Sequence, residues 1–592
     1  MRAVQRSFVP YPFEAPQFPA RLPALGMDRI ERRRHPVVIV GAGPVGLCAA
    51  LGLANHGVPV VVLEADDSVC FGSRAICISR RSLEIIERLG ALDGFLNTGL
   101  AWTGGRSFYR DAQVLHFTMP QDANQKLPPM LNLAQYHIEQ ILLERAQQRP
   151  DLIDIRWQSK ATALDLHDEA VRLQVSTPAG DYALQADWLV AADGGRSFVR
   201  EAMGLELLGT SYEGRYVIVD IQLESDRPTE RLAYFDPPCN PGSTVLVHKQ
   251  PGGVWRIDYQ LRDGEDPLEA VKPENVMPRI ESLLAMMGER GAWSPIWITM
   301  YKANALTLER YRVGRVLFAG DAAHLVPIFG VRGANSGIDD ADNLAWKLAL
   351  TVKGLASQRL LDSYSTERVA AAHENLHHGM KSTEFMAPPS FAFDLMRNAV
   401  LGLAVKHAGV RALINPRQTS AITYRDSPLN VNAAEPGASG ASVGTAGFAA
   451  GPIPGAVLPE CPLTVTRRGA AAREAHVTDL LIQATPGFVA LCFGGDESPC
   501  NPDTSLALHA LTGRLAERGM GLSAVRISRQ RSAAHAWDHT GRLFPMYGAD
   551  AGTVYLVRPD GHVLARWQGL APEAAAPRIY AAIETTLQGE CA

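Results

Sequence analysis

The residues Gly41-Ala42-Gly43-Pro44-Val45-Gly46 fit the pattern G-x-G-x-x-G. At this spacing Gly41 permits a tight turn and Gly43 lets backbone N–H groups approach a pyrophosphate. Gly46 allows a helix to pack closely on a strand. The helix N-terminus that follows offers partial positive charge to phosphates. Glu64 closes the next strand-like run, where a carboxylate can hold ribose hydroxyls. An acid there favours FAD or NAD over a cofactor with a 2′-phosphate. Two further groups are less specific taken singly. Asp193-Gly194, with Arg200 downstream, follows a strand-like run but also reads as an Asp-Gly turn. Gly320-Asp321 ends another strand, and a loop with Pro327, Gly330, Gly333 and Gly337 leads into a long helix. Asp321 can accept hydrogen bonds from sugar or ribityl hydroxyls. The loop can press backbone against a flat ring, and the helix N-terminus can stabilise negative charge on it. The plain alternative is an Asp-capped helix after a loop.

These residues need particular elements to hold them. VVIV (37–40), the glycine turn, LCAALGLANHG (47–57) and PVVVLEA (59–65) read as one βαβ unit. Strand-like alternation returns at 153–190, with a hairpin signal at 177–181, and again through 215–305, where the helical run PENVMPRIESLLAMMG interrupts it. Helical pattern follows to about 412, broken near Pro388 and Pro389. The stretch 435–456 is dense in Gly, Ala, Ser and Pro and reads as a connection between bodies. A compact α/β tail is expected over 460–592. Residues 1–34 read as an extended or partly disordered arm, and Arg32-Arg33-Arg34 as a solvated junction before the first strand.

At 592 residues, with 46% hydrophobic residues and a net charge of -5, the chain is long enough for several buried cores and lacks the basic balance of a nucleic-acid binder. Eight cysteines form no C-x-x-C pair, so neither zinc nor another metal nor a redox dithiol is expected. That thin usage fits a reducing, cytoplasmic setting. The N-terminus has no apolar signal core, and no run of about 20 apolar residues exists, so no membrane partner is expected.

Together these elements resemble the FAD-dependent aromatic hydroxylases, the single-component class A flavoprotein monooxygenases. Three motifs match in order and spacing: GAGPVG with Glu64, DG with Arg200, and GDAAH followed by Pro327, Gly330, Gly333 and NSG. Arg74 in GSRAICIS, Gln135 in NLAQYHIEQ, and RIDYQLRDGED (256–266) extend the match. The chain looks most like the members similar to 3-(3-hydroxyphenyl)propionate hydroxylase and phenol hydroxylase, which carry a C-terminal thioredoxin-like domain. YGADAGTVYLVRPDGHVLARW (547–567) resembles the final hairpin of that domain.

The resemblance implies an α/β and α+β architecture: a Rossmann-like FAD-binding domain (35–205 and 306–395), an interleaved β-sheet substrate domain (206–305), a connection (396–456) and a thioredoxin-like domain without C-x-x-C (457–592). It implies tightly but non-covalently bound FAD, NADH or NADPH as co-substrate, O2, a phenolic substrate and a homodimer. Hydroxylation would proceed through a flavin C4a-hydroperoxide, in aromatic catabolism. Gly41, Gly43, Gly46 and Glu64 would hold the ADP half of FAD, Arg74 and Gln135 the pyrophosphate and ribityl region, and Asp193 a motif shared between FAD and NAD(P)H binding. Gly320 and Asp321 would meet the ribityl chain, Pro327 would sit near flavin C4a, and Gly333, Ala334 and Asn335 would line the isoalloxazine edge. No second G-x-G-x-x-G unit exists for the nicotinamide cofactor.

Substrate contacts are expected from the β-rich middle: His248, Trp255, Tyr259, Trp297 and Tyr301, with His248 as a candidate base and Tyr259 and Pro327 as further candidate catalytic residues. Each also reads as ordinary core. Arg256 or Arg332 could receive a carboxylate. Many relatives read P-P-F-G-G-Q-G-M-N where this chain has Pro327-Ile328-Phe329-Gly330-Val331-Arg332-Gly333-Ala334-Asn335. Ile328, Val331, Arg332 and Ala334 therefore alter the surface near the ring. Competing readings are a flavin oxidase or dehydrogenase without oxygen transfer, and a non-catalytic FAD-binding protein.

Overall fold

Five buried parallel strands form the centre of the first sheet. In spatial order they are Val316–Phe318, Tyr182–Ala191, Ile30–Val40, Val60–Leu63 and Ile153–Arg156. Val37, Val38 and Ile39 are fully enclosed, as expected for a strand covered on both faces. The computed structural model describes residues 7–589 apart from 263, 415–417, 419, 432–447, 467–470, 483–485, 495–501 and 532–534. Most of the glycine-rich connection (435–447), together with Cys500 and Cys591, therefore lies outside the described residues. The other six cysteines are free thiols.

Helix Pro44–Asn55 packs on this sheet beside the long helix Gly333–Val352. Helices Leu360–Met386 and Phe391–Lys406 follow, separated at the expected Pro388-Pro389 break. The arginine run does not precede the first strand but lies within it. Ile30 already pairs with Ala183, and a register shift follows before Arg34. The side chains of Arg32, Arg33 and Arg34 are nevertheless exposed.

The N-terminal arm has little regular structure, yet from residue 7 onward it is packed against the body. Phe13 stacks on Tyr136, Phe18 stacks on Trp157, and Tyr11 is 7% exposed with its hydroxyl donating to Asp220. Its aromatic residues anchor it, which a reading based on Pro and Arg content undervalues.

A second eight-stranded sheet is ordered His324–Leu325, Trp293–Thr307, Leu208–Leu223, Val254–Gln260, Thr244–Lys249, Arg231–Phe235, Gly104–Tyr109, Ala112–Thr118. Its last two strands come from inside the 35–205 span, and Arg231–Phe235 pairs in parallel with Gly104–Tyr109. With His324–Leu325 at the other edge, three strands of this sheet lie outside the expected 206–305 region. One face of this sheet packs on helix Pro273–Met287, and the other shares a core with the small sheet of Cys77–Ser79, Met130–Asn132 and Leu100–Trp102 and with helices Leu360–Met386 and Phe391–Lys406.

The C-terminal body is a seven-stranded mixed sheet. Helices Pro502–Glu517 and Pro572–Gln588 share a core with Trp346, Leu350 and Leu360 of the first body. A fully buried charge cluster joins the two bodies. Arg558 donates to both Glu367 oxygens, at 2.6 and 2.9 Å, and to Asp560 at 2.6 Å. Lys347 reaches Glu367 at 2.7 Å, and Trp346 Nε1 donates to Asp560 at 3.0 Å. Burial alone would push the Glu367 carboxyl up, but Arg558 and Lys347 hold it well below its ordinary range. Removing one partner strands the others without water. Arg558→Ala should lower unfolding stability by ~3–5 kcal/mol in urea titrations. A loss within about 1 kcal/mol would mean that apolar contacts alone dock the body.

Candidate flavin cleft

Strand Ile30–Val40 delivers the chain into Gly41, which sits at φ +103°. A Cβ there would lie 2.4 Å from Ala192 O, and a Cβ at Gly46 would lie 1.9 Å from Gly41 O. Chain packing demands both glycines. Gly43 differs: its Cβ would meet only Glu139 Oε1 at 4.0 Å. Here the protein leaves space instead of filling it. Helix Pro44–Asn55 begins at Gly43 with no side-chain cap, so its first-turn amides lack a side-chain partner.

Glu64 Oε2 accepts from Ala42 N at 2.7 Å and Oε1 from Asp66 N at 3.0 Å. Burial pushes this carboxyl up, against the pull of those amides. Gln135 and Glu139 sit one turn apart on helix Gln135–Gln147. Gln135 Oε1 accepts from Ala75 N at 3.1 Å, and Glu139 accepts from Gln135 Nε2 at 2.8 Å and from Cys70 N at 2.6 Å. They pin the loop that presents Arg74, whose own side chain is exposed. Glu139 was missed in the sequence, because an i, i+4 polar pair on a helix has the look of a solvated face.

Asp193 Oδ2 accepts from Val199 N at 3.0 Å, beside the Ser197 cap of the short helix Phe198–Ala202. Its Oδ1, however, is buried without a partner, and burial pushes the carboxyl up. Arg200 donates to Gly195 O at 2.7 Å and Ala322 O at 3.1 Å, tying the second motif to the third. Asp321 is the reverse of buried. Its side chain stays open at the base of a recess and makes no hydrogen bond or ion pair among the described residues. The low-polarity surroundings still push its carboxyl up, with His324 opposing.

Behind it, Gly320 N donates to Asp340 at 2.9 Å, and Asp340 is bonded to His324 Nε2 at 2.7 Å and Arg368 Nε at 2.5 Å. Burial works against the Asp340 charge, yet Arg368 and His324 hold its carboxyl down at about 2.

Pro327 is buried against Gly379, Gly330 has φ +92° and Val331 has φ +59°. A β-branched residue at positive φ is strained. Gly333 then opens helix Gly333–Val352 without a side-chain cap, and a Cβ there would meet nothing within 4 Å. Asn335, expected along the ring edge, spends its side chain elsewhere. It accepts from Ser79 N and Ser82 Oγ and donates to Cys77 O and Val331 O. Any contact from Asn335 to a ring therefore falls to its backbone.

Strand register fixes which middle-region residues face this cleft. His248, Arg256, Asp220 and Trp297 are consecutive cross-strand partners on one face, and Arg231, next to the Leu232–Val247 pair, lies on the same face. Phe235, Thr244, Gln260, Tyr216 and Tyr301 form a parallel row on the same face. Tyr301 donates to Val326 O at 3.3 Å, beside Pro327. Tyr259 and Trp255 alternate onto the opposite face, where Tyr259 lies under Arg279. Period-two alternation thus removes both from the cleft.

Arg256 is committed to Asp258 at 2.8 Å and to the Arg74 carbonyl, and Arg332 to Asn375 and Gln418. Neither is free for a carboxylate. His248 is enclosed. Burial, with Arg231 and Arg256 alongside, lowers it well below the ordinary imidazole range, so it is neutral and a poor base.

The open glycines, the two uncapped helix starts, the orphaned Asp193 oxygen and the open Asp321 carboxylate fit a ligand with an anionic centre, a hydroxylated chain and a flat ring. A family model for an FAD binding domain matches residues 34–378. The chain belongs to the FAD binding domain family. FAD is therefore the group this cleft holds.

The chain is 30% identical over 361 residues to a 3-(3-hydroxy-phenyl)propionate/3-hydroxycinnamic acid hydroxylase of Klebsiella pneumoniae (strain 342), covering 60% of this chain and 62% of that one. To a protein of the same description from Escherichia coli (strain K12) it is 30% identical over 365 residues, 62% of this chain and 64% of that one. It thus spans just under two thirds of these relatives' length.

The flavin-dependent monooxygenase PieE, solved with FAD and substrate, superposes with TM-score 0.75 at 22% identity over 94% of this chain and 99% of that one. OxyS anhydrotetracycline hydroxylase from Streptomyces rimosus does so with TM-score 0.65 at 25% identity, over 95% and 100%. Among the described residues no group of three or more His, Cys, Asp or Glu could hold a metal, and no helix is long and apolar enough to cross a membrane.

Gly43→Ala should fold with unchanged thermal stability yet bind FAD at least about tenfold more weakly in fluorescence titrations of apoprotein. Gly46→Ala should instead lose about 1–3 kcal/mol of stability, because its Cβ has nowhere to go.

Proposed function

We propose that this chain is a flavoprotein monooxygenase that hydroxylates a phenolic aromatic compound, using NADH or NADPH and O2. The observation that carries this reading is the junction of the flavin cleft with the sheet face bearing Tyr216, Tyr301, Arg231 and His248. The curated relatives, named as hydroxylases of hydroxyphenyl acids, support it. The balance is one aromatic C–H converted to C–OH, with one NAD(P)H and one proton consumed and the second oxygen atom leaving as water. Hydride uptake and oxygen activation are the chemistry that bound flavin supplies.

The remaining work falls to the chain. Asp321 and the helix start at Gly333 orient the ribityl chain and ring. Pro327, Ile328 and Phe329 exclude water over the reacting edge. Phe329 meets Tyr216 edge-on at 5.3 Å, closing the aromatic wall. Tyr216 Oη is buried without a partner and is placed to bond a substrate hydroxyl. His248 acts as a neutral hydrogen-bonding group, not a base.

The C-terminal body reads as thioredoxin-like. Gly487–Phe493 and Gly521–Ser528 pair in parallel, a final antiparallel hairpin follows, and two helices share one core. Without C-x-x-C it is a docking body and not an exchange catalyst. Exposed Phe391, Leu395 and Met396 on helix Phe391–Lys406 support the homodimer reading. The free thiols support a cytoplasmic one.

Holoprotein should oxidise NADH or NADPH faster with a phenol or phenolic acid present, and mass analysis should show product with one added oxygen atom. Faster oxidation with no oxygenated product from any aromatic would overturn the hydroxylase reading. His248→Gln should leave the shape of the kcat–pH profile between about pH 6 and 9 unchanged, because the imidazole is already neutral there. Tyr259→Phe should stay within about twofold of wild-type turnover. An inflection lost in His248→Gln would restore the base assignment.

A further inference from the structure

Ahead of the first strand the chain reads VPYPFEAPQFP (9–19), an alternation of aromatic residues and prolines. Pro10, Pro12, Pro16 and Pro19 fix their own φ and bias the residues before them toward extended backbone. Little freedom is therefore lost when the segment lies down on the body. At ~3.1 Å per residue such a segment carries Phe18 ~22 Å from Tyr11 at full extension. It joins no sheet, so side chains make most of its contacts.

Those contacts fall on three elements in turn. Val9 N donates to Pro295 O at 2.9 Å and the Tyr11 hydroxyl donates to Asp220, fixing one end to two paired strands of the second sheet. Phe13 stacks on Tyr136 at 4.9 Å and meets His137 edge-on at 5.1 Å, over the first turn of helix Gln135–Gln147. At the other end Phe18 N donates to Asp67 O at 2.7 Å, and Gln158 Nε2 donates to Phe18 O at 2.9 Å. The Phe18 ring lies on Trp157 at 4.6 Å.

These same elements hold segment 64–75, which carries Glu64 and Arg74 and forms neither helix nor strand. Its shape depends on what presses against it. Asp66 N, one residue before Asp67, donates to Glu64 at 3.0 Å. The Tyr11 ring meets Phe71 edge-on at 5.4 Å. Gln135 and Glu139, on the helix under Phe13, accept from Ala75 N and Cys70 N. Arg256, the cross-strand partner of Asp220, donates to the Arg74 carbonyl. The arm thus touches the segment directly at Asp67 and Phe71, and backs the groups that grip it at Cys70, Arg74 and Ala75.

We propose that residues 9–18 form a strap that retains FAD. Docked at once on the second sheet, on helix Gln135–Gln147 and on Asp67, the strap fixes segment 64–75 in the shape that grips the cofactor, so that arm and flavin hold each other in place. The strap lies outside the 34–378 match and does not rest on the hydroxylase reading. The coupling is reciprocal: if the docked arm tightens flavin binding, bound flavin must hold the arm down by the same factor.

The test uses the full-length protein with and without saturating FAD. Chymotrypsin is added, and loss of residues 1–13 by cleavage after Phe13 is followed by mass. Glu14 leaves that bond open to the protease, whereas Pro12 and Pro19 shield Tyr11 and Phe18. FAD should slow this cleavage about tenfold or more and leave cleavage in the C-terminal body unchanged. In fluorescence titrations of apoprotein, Phe13→Ala and Phe18→Ala should each weaken FAD binding about tenfold or more. Phe18→Tyr, which keeps the ring, should bind FAD as the wild type does. Equal cleavage after Phe13 with and without FAD, equal slowing in both bodies, or unchanged FAD affinity in both alanine variants would overturn the proposal. If the alanine variants do not fold, cleavage of the wild-type chain decides.

Discussion

Asp340 engages three groups at once: the Gly320 amide, the His324 imidazole and the Arg368 guanidinium. It sits on helix Gly333–Val352, yet its partners come from the strand-to-loop turn before that helix and from the helix after it. A carboxylate at 0% exposure holds its charge only if its partners stay in place. The geometry of the third motif follows from that demand. Gly320 cannot move without stranding Asp340, and Asp321, one residue on, is thereby fixed at the base of the cleft. The same constraint seats His324, so a residue that could pass for catalytic is a buttress.

Phosphate recognition was legible in the sequence because it is local. Gly41 and Gly46 are demanded by backbone contacts within the turn or with the adjoining strand, and those demands leave a mark on residue type. The middle sheet was much less legible. Val254–Gln260 is buried on both faces, so no polar–apolar alternation separates Asp258 from Tyr259. Only pairing with Thr244–Lys249 and Leu208–Leu223 shows that His248 and Arg256 share a side that Tyr259 does not. Arg231 was overlooked for the same reason, since a strand closed on both sides gives no hint of which polar residue looks into a cleft. The hairpin from 104–118 is a long-range addition, because Gly104–Tyr109 joins the sheet through Arg231–Phe235, more than a hundred residues downstream.

The cleft and the sheet face solve one problem in different ways. At the cofactor end, charge is managed by open space: helix starts without caps and an aspartate without a partner await a ligand. Along the second sheet, charge is managed by pairing. Arg256 takes Asp258, and Asp220 takes Tyr11 from the N-terminal arm. That arm lies outside the 34–378 match, yet it completes a buried polar row behind the cleft. The arm, the second sheet and the loop at residues 73–74 are therefore one packed unit, with Arg256 reaching the Arg74 carbonyl from the sheet side.

The cluster around Glu367 bears on how the molecule is made. Glu367 and Lys347 belong to helices of the flavin-holding body, whereas Arg558 follows Glu367 by 191 residues and, with Asp560, belongs to the C-terminal body. Until the two bodies meet, the ion pair between those helices lacks its second cation, and Trp346 lacks its acceptor. The docking cluster of the flavin-holding body is therefore complete only once residues 558–560 have folded against it.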